Sequence, residues 1–290
     1  VVQWCSGAVV QWCSGAVVQW CSGEVVKWCE GAVTWGRINL KMIGKTIIGL
    51  ERVDSTNTYA DNILQKSDLE EGTVVWAFEQ FAGKGLNENK WESEAGKNLT
   101  FSIILHPDFL SADMQFRLNK AISLGITDYI NSLIHGTSIK WPNDIYSGNR
   151  KIAGILIENK IIGSLIRTSI VGIGININQI NFDPGIPNPV SLIQVLKREM
   201  VLKEELDAVC RFLDYRYIQL RKGNHNIIDH DYHRWLAGSD EWRQFDKRGE
   251  RMEGKIEGVD DFGRLLITTR EGKKLSFNHK EIEYLFPDKI

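Results

Sequence analysis

From residue 42 onward, short apolar runs alternate with stretches of helical period. Lys45–Leu50, Thr73–Phe78 and Asn98–Leu105 carry the β-branched and aromatic residues of strands. Asp54, Ser55 and Thr56 predict a helix start, because short oxygen side chains cap free backbone N–H groups. From about Ser111, the residues Leu118, Ile122, Gly125, Tyr129 and Leu133 recur close to helical spacing and predict a helix. Three strands are expected next, at Ser138–Trp141, Lys151–Glu158 and Ser169–Ile177. Pro184, Pro187 and Pro189 mark an ordered loop. A second amphipathic helix carries Leu206, Val209, Cys210, Leu213, Tyr217 and Leu220, and a shorter one ends near Leu236, stopped by Gly238. Beyond Gly238 the helical period disappears. Arg251–Val259, Arg264–Thr269 and Lys274–Phe277 read as strands, and we expect a small all-β barrel there. Mixed elements followed by strands alone predict an α+β domain with a β appendix.

The first 35 residues fit neither pattern. They read VVQWCSGA, VVQWCSGA, VVQWCSGE, VVKWCEGA and VTWG, and they hold four of the five Cys and five of the ten Trp. Cys5, Cys13, Cys21 and Cys29 recur every eight residues. Zinc ligands instead come in pairs roughly two to four residues apart, so this is a poor metal signature. An even period would put all four cysteines on one face of a strand, as in a short β-array. The genetic code offers a simpler source. The codons GTG GTG CAG TGG TGC AGT GGT GCA spell Val-Val-Gln-Trp-Cys-Ser-Gly-Ala, and they are the unit GTGGTGCA repeated. We therefore expect residues 1–41 to be translated repeat DNA, disordered or spurious, with Met42 standing where a natural chain could start.

Composition changes the picture only by exclusion. The net charge is -2, and setting aside Glu24, Lys27, Glu30, Arg37 and Lys41 leaves 32 basic and 35 acidic residues, which gives no polyanion-binding signal. No apolar run reaches membrane-spanning length and no signal peptide opens the chain, so no membrane role is expected. Past the repeat, Cys210 stands alone and cannot form an internal disulfide, which suits a reducing cytoplasm.

Candidate chemistry concentrates in four strings. Gly44-Lys45-Thr46 is not one of them: a phosphate-binding loop needs Gly where Asn39 stands. Gly172-Ile173-Gly174 lacks the third glycine of a dinucleotide fingerprint, since Ile177 occupies that place. His230 and His233 are spaced to share a metal, but such a pair is ordinary on a solvated helix. In Gln80-Phe81-Ala82-Gly83-Lys84-Gly85, by contrast, glycines let backbone N–H groups turn toward an anion and Lys84 adds charge. Lys90, Lys97 and Asn98 continue that polarity. Lys140-Trp141-Pro142-Asn143-Asp144 packs a cation, an aromatic ring, a rigid turn, an amide and a carboxylate into five positions. Asp144 could hold magnesium and Asn143 a polar ligand group. Lys151 then opens an apolar strand in which Gly154 permits close approach to the backbone. Asn176, inside the run Gly172–Asn178, needs a hydrogen-bond partner.

Together these strings resemble biotin protein ligases, enzymes that attach biotin to carboxylase carrier domains. The matching residues are Asp54-Ser55-Thr56-Asn57, Gln80 to Gly85, Lys90-Trp91-Glu92-Ser93, Gly96-Lys97-Asn98-Leu99, Lys140 to Asp144, Lys151 to Glu158 and Gly172 to Asn178. The resemblance runs from about Met42 to Ile290 and is to the short type, without a DNA-binding domain. It implies a mixed-sheet, class II synthetase-like catalytic domain over 42–238 and an SH3-like β-barrel over 239–290. It also implies a two-step reaction using ATP, biotin and Mg2+, with biotinoyl-5′-AMP as the intermediate. Lys151, Lys140 and Asp144 would be catalytic, with Asp144 positioning the metal. Biotin would be held by Ser55, Thr56, Asn57, Gln80, Gly83, Lys84, Gly85, Lys151 and Gly154. The nucleotide would meet Lys84, Trp91, Asn98, Lys140, Asn143 and Asn176. The partner would be the carrier domain of acetyl-CoA carboxylase or a related carboxylase, with no nucleic acid, and the family often dimerises through its central sheet.

One departure stands out. The family's glycine loop often continues with a cationic or polar residue where this chain has Leu86, and Glu88 replaces a small residue. Losing a donor there should weaken closure over the adenylate and speed its leakage. Two rivals remain open at this point: a lipoate or octanoate ligase, and a catalytically weak biotin-binding sensor.

Overall fold

The computed structural model describes residues 10–13, 16–21, 24–29, 32–33, 42–86 and 89–285. Two compact units divide the chain, Val1–Leu40 and Lys41–Ile290. In the first, strands β1 (Val10–Cys13), β2 (Ala16–Cys21), β3 (Glu24–Cys29) and β4 (Ala32–Val33) pair antiparallel in that order. Cys13 pairs with Ala16, Cys21 with Glu24 and Cys29 with Ala32, so the described strands follow the eight-residue period of the repeat.

In the second unit, the chain runs through β5 (Ile47–Val53), α1 (Thr56–Leu64), β6 (Thr73–Gln80), β7 (Gly83–Lys84), β8 (Lys90–Trp91) and β9 (Leu99–Leu105). Helix α2 (Gln115–Leu133) leads into β10 (Thr137–Lys140), β11 (Asp144–Ser147), β12 (Arg150–Ile162) and β13 (Leu165–Ile175). Helices α3 (Leu192–Leu196), α4 (Leu202–Arg221) and α5 (His225–Trp235) follow. Seven strands form one sheet in the order β10-β11-β12-β13-β9-β6-β5, antiparallel throughout except for β5 beside β6. The α+β expectation holds. Strand β11 and the β7–β8 pair lie where a turn and a polar loop were expected, because charged residues there mask the strand pattern.

Alternation along β9 sets the layers. Leu99, Phe101, Ile103 and Leu105 join a large core with Leu118 and Ile122 of α2, Val209 and Leu213 of α4 and Ile228 of α5. The opposite face carries Thr100, Ser102 and Ile104, and Ile104 joins Ala60, Val75 and Ile170 in a small core beneath α1. The cleft described below opens on that second face, where Gly172 pairs with Ser102 and Gly174 with Thr100. Gly125 brings α2 and α4 close: a Cβ added there would lie 2.9 Å from the Leu213 Cα.

Buried charge ties the helical layer together. Arg216 of α4 donates from Nε and Nη2 to the two oxygens of Asp128 on α2, at 2.6 and 3.2 Å, and from Nη1 to Asp231 on α5 at 2.5 Å. Burial alone would pull the Arg216 pKa down, but the two carboxylates outweigh it and raise it.

Strands β14 (Trp242–Lys247), β15 (Glu250–Val259), β16 (Leu265–Thr269), β17 (Lys274–Phe277) and β18 (Glu283–Tyr284) form a second sheet in the order β17-β16-β15-β14-β18. Among the described residues no β17–β18 pairing closes it, so a small antiparallel sheet stands where a barrel was expected. Lys120 of α2 donates to Val259 O at 2.8 Å, and Arg117 pairs with Asp261 at 3.0 Å, which fastens this sheet to the helices. No helix among the described residues is long and apolar enough to cross a membrane.

Candidate active site

Parallel pairing brings the C-terminal ends of β5 and β6 together, with Val53 beside Gln80. The loops that follow therefore leave the sheet side by side, Ala82 donating to Asp54 O at 2.9 Å. Helix α1 starts at this point, as its capping residues predict, but Ser55 makes no side-chain cap. The Gln80 side-chain Oε1 replaces it, accepting from the Thr56 N–H at 2.8 Å and from Thr56 Oγ1 at 3.1 Å. Beneath them, Ser102 Oγ lies 2.7 Å from Thr56 Oγ1 and donates to Asn57 Oδ1 at 2.6 Å. Asn57 Nδ2 donates to Glu158 Oε2 at 2.6 Å. A buried chain of hydroxyls and amides thus fixes the orientation of each uncharged polar group, since unpaired polar groups at such depth are costly.

The charged half comes from the β10–β12 meander. Lys140 pairs with Asp144 across the turn, and Asp144 lies beside Gly154 in the next pair. Asn143 closes this corner by donating from Nδ2 to Ile155 O at 2.6 Å. The register slips by one residue here: Ile145 pairs with Ala153, but Tyr146 pairs with Lys151. In a regular strand Lys151 and Gly154 would face opposite ways. The bulge at Ile152 turns Lys151 onto the Gly154 face. Its Nζ reaches Asp144 Oδ1 at 2.8 Å and sits 5.7 Å from the Trp91 ring centre. The loop behind holds the bulge, Lys151 N donating to Asn188 O at 2.8 Å and Val190 N to Lys151 O at 2.9 Å. Burial lowers the Lys140 pKa, with Lys151 acting the same way and Asp144 and Glu283 opposing. Lys140 Nζ lies 3.4 Å from Tyr146 OH, and burial together with Asp144 raises that phenol to about 12.

Glycines form the floor. A Cβ on Gly172 would lie 2.4 Å from Asn57 Oδ1, and one on Gly174 would lie 2.2 Å from Trp91 Cε2. The Trp91 indole rests on Gly174 and Gly154, and its buried Nε1–H has no hydrogen-bond partner among the described residues. The result is a cleft of about 160 Å³, lined at one end by Ser55, Thr56, Asn57 and Gln80 and at the other by Lys140, Asn143, Asp144 and Lys151. Lys84, Gly85, Leu86, Lys90 and Trp91 form its loop side.

The stretch that builds this cleft is the stretch that matches known proteins. A family model, the biotin/lipoate A/B protein ligase family, matches residues 49–176. The bifunctional ligase/repressor BirA of Bacillus spizizenii is 29% identical over 243 residues, covering 82% of this chain and 74% of that protein. The biotin–[acetyl-CoA-carboxylase] ligase of Paracoccus denitrificans is 28% identical over 236 residues, covering 78% and 95%. The solved structure of the biotin protein ligase from Aquifex aeolicus in complex with biotin and ATP superposes with a TM-score of 0.68 at 26% identity, over 82% of this chain and 98% of that one. Residues 49–176 of this chain thus match the biotin/lipoate A/B protein ligase family.

Twelve of the expected site residues line the cleft: Ser55, Thr56, Asn57, Gln80, Lys84, Gly85, Trp91, Lys140, Asn143, Asp144, Lys151 and Gly154. Gly83, Asn98 and Asn176 are not among the lining residues. Gly83 packs under the Trp91 carbonyl, where a Cβ would come within 2.3 Å. Asn98 is engaged with Gln179 Oε1 at 2.5 Å and the Ile177 N–H at 3.0 Å. Asn176 donates to Val190 O at 3.0 Å. All three shape the loops around the cleft rather than its wall. His233 pairs with Asp240 at 2.9 Å, and among the described residues no three His, Cys, Asp or Glu side chains gather as a metal site. Asn87 and Glu88 lie outside the described residues.

Ser102, Glu158, Gly172, Gly174 and His279 were not expected as site residues. Ser102 and Glu158 act by orienting Asn57. The polar alternation of Thr100 and Ser102 inside an apolar strand is the signal that marks them. His279 lies on the turn between β17 and β18, and nothing local in the sequence marks it.

Proposed function

We propose that this chain joins biotin to a lysine of a biotin carboxyl carrier domain, consuming ATP and passing through biotinoyl-5′-AMP. The two-ended cleft carries this reading. One end is uncharged and rich in oriented donors and acceptors, suited to the ureido ring of biotin. The other carries Lys140 and Lys151, suited to phosphates. Two anions must meet for the first step, and their repulsion is large at low dielectric.

In that step a biotin carboxylate oxygen attacks the α-phosphorus of ATP, the bond to the bridging oxygen breaks, and pyrophosphate leaves. Lys151, re-aimed by the bulge, pairs with Asp144 at the charged end and stabilises the charge that develops as the two anions meet. In the second step the neutral amine of a carrier lysine attacks the acyl carbon, the carbon–oxygen bond breaks, AMP leaves, and the nitrogen loses its extra proton. The Trp91 indole and the glycine loop exclude water while the anhydride waits.

Asp144 is the one carboxylate among the described lining residues. That donor set suits magnesium, which is held by one or two carboxylates together with substrate phosphates and water. Bound there, the ion supplies neutralisation of phosphate charge. Within this reading residues 42–238 form the catalytic domain, 239–290 an appended β domain, and 1–41 a repeat segment outside the enzyme proper.

The test mixes the full chain with biotin, ATP, magnesium and a purified carrier domain. We expect biotin on one carrier lysine and one pyrophosphate released per transfer. Labelling with lipoate but not biotin would move the assignment to the other branch of the family, and biotin binding without pyrophosphate would make the chain a sensor.

Leu86 gives a sharper expectation. It lines the cleft, and its carbonyl accepts from the Asn89 N–H at 3.3 Å in the turn that Gly85 N and Asn89 O close at 2.6 Å. An apolar side chain there offers no donor to an adenylate. Leu86→Arg should slow release of biotinoyl-AMP by about tenfold, the effect of one hydrogen bond to a charged group. Equal release rates from the two proteins would remove Leu86 from adenylate retention.

A further inference from the structure

All the described residues that line the cleft lie between Ser55 and Gly174, with one exception, His279. It comes from the C-terminal sheet, and the family match ends before it, at residue 176. The turn that presents it is fixed: Asn278 N donates to Glu281 Oε2 at 2.7 Å, and Glu281 N donates to Asn278 O at 3.1 Å. Its ring meets the Trp141 indole edge to face, with centroids 5.8 Å apart. Trp141 is buried, and its Nε1 donates to Gly263 O at 2.9 Å, so the same indole is also held from the β15–β16 turn. The C-terminal sheet therefore grips the Lys140–Asp144 corner at two points and places an imidazole at the charged end of the cleft, on its exposed rim.

From this placement we infer that His279 is a substrate-binding residue, contacting the polyphosphate of ATP at the Lys140–Asp144 end of the cleft. The inference rests on the ligase reading above and adds to it a contact from the C-terminal sheet. An imidazole offers a nitrogen donor that a phosphate oxygen can accept. The biotin end, at Ser55 to Asn57 and Gln80, lies at the other end of the cleft and does not involve it.

Three variants of the full chain separate contact from packing. His279→Phe keeps an aromatic ring against Trp141 and removes both nitrogens. His279→Gln keeps a donor and loses the ring. His279→Ala loses both. ATP affinity is read by calorimetry, and KM for ATP, KM for biotin and kcat are read by biotin-dependent pyrophosphate exchange. We expect His279→Phe and His279→Ala to weaken ATP about tenfold in both assays, the effect of one hydrogen bond to a charged group. We expect His279→Gln to recover most of the loss, and KM for biotin to stay within about twofold in all three. Wild-type behaviour of His279→Phe alongside a defect in His279→Ala would make the residue a packing element and overturn the inference, as would ATP binding unchanged in all three. If the wild type shows no biotin-dependent exchange, the ligase reading fails, and calorimetry with ATP alone still decides whether His279 touches the nucleotide.

Discussion

Replacing Lys151 by Met should lower kcat/KM for biotin-dependent pyrophosphate exchange by about 100- to 1,000-fold, the usual loss when one preorganised charge-stabilising group leaves a closed site. Lys151 is the cation that the bulge brings to the charged end of the cleft, paired with Asp144 at 2.8 Å and poised 5.7 Å from the Trp91 ring centre. Its role requires the bulge, because without the extra residue at Ile152 its side chain would enter the opposite face of the sheet. Met keeps most of the volume and the apolar stem against Gly154, so the fold should survive. Thermal unfolding should shift little, since the ion pair with Asp144 is partly exposed and worth roughly 1 kcal/mol or less. A loss of less than about tenfold in exchange would show that Lys140 or the glycine loop carries the charge instead.

Arg216→Met should destabilise the second unit by about 3–5 kcal/mol, the range for removing one partner of a buried ion pair. Two carboxylates, Asp128 and Asp231, would be left facing each other across three helices without the guanidinium between them. Urea unfolding reads the change directly, as a lower midpoint at unchanged slope. The double variant Arg216→Met with Asp128→Asn should recover part of the loss, because it removes one of the stranded charges. A shift under about 1 kcal/mol would place this cluster among surface pairs of little consequence. KM for biotin should stay unchanged in the protein that remains folded, since the cluster lies in the helical layer and not in the cleft wall.

Much of the scaffold is legible in the residues because burial writes it there. Leu99–Leu105 is buried at every position, and its largely apolar run marks a central strand. Helices α2 and α4 announce themselves through Leu118 to Tyr129 and Leu206 to Leu220, whose spacing matches the face they bury. Strands β14 and β18 do not, because Trp242–Lys247 is mostly polar with Phe245 alone deeply buried, and β18 is two residues long. The site divides in the same way. Lys140 to Asp144 and Lys151 are visible because charge and aromatic character are crowded into a strand end. The bulge that turns Lys151 around leaves no trace in Lys-Ile-Ala-Gly, since it is a property of pairing between two strands. Asn98 and Asn176 show the limit of polarity as a guide. A buried amide must find partners, but those partners here are Gln179, Ser93 and backbone groups of the chain itself.

The glycine floor has a consequence for how such an enzyme can change over generations. Every other amino acid carries at least a Cβ, and at Gly172 and Gly174 that one atom would fall within 2.2–2.4 Å of Asn57 or Trp91. No codon change that alters either residue avoids the collision, and no more conservative replacement lies between glycine and alanine. The charged rim can drift by exchanging one cation for another. The floor has no such neighbourhood of tolerated variants: it is inherited intact, or the pocket closes in a single mutational step.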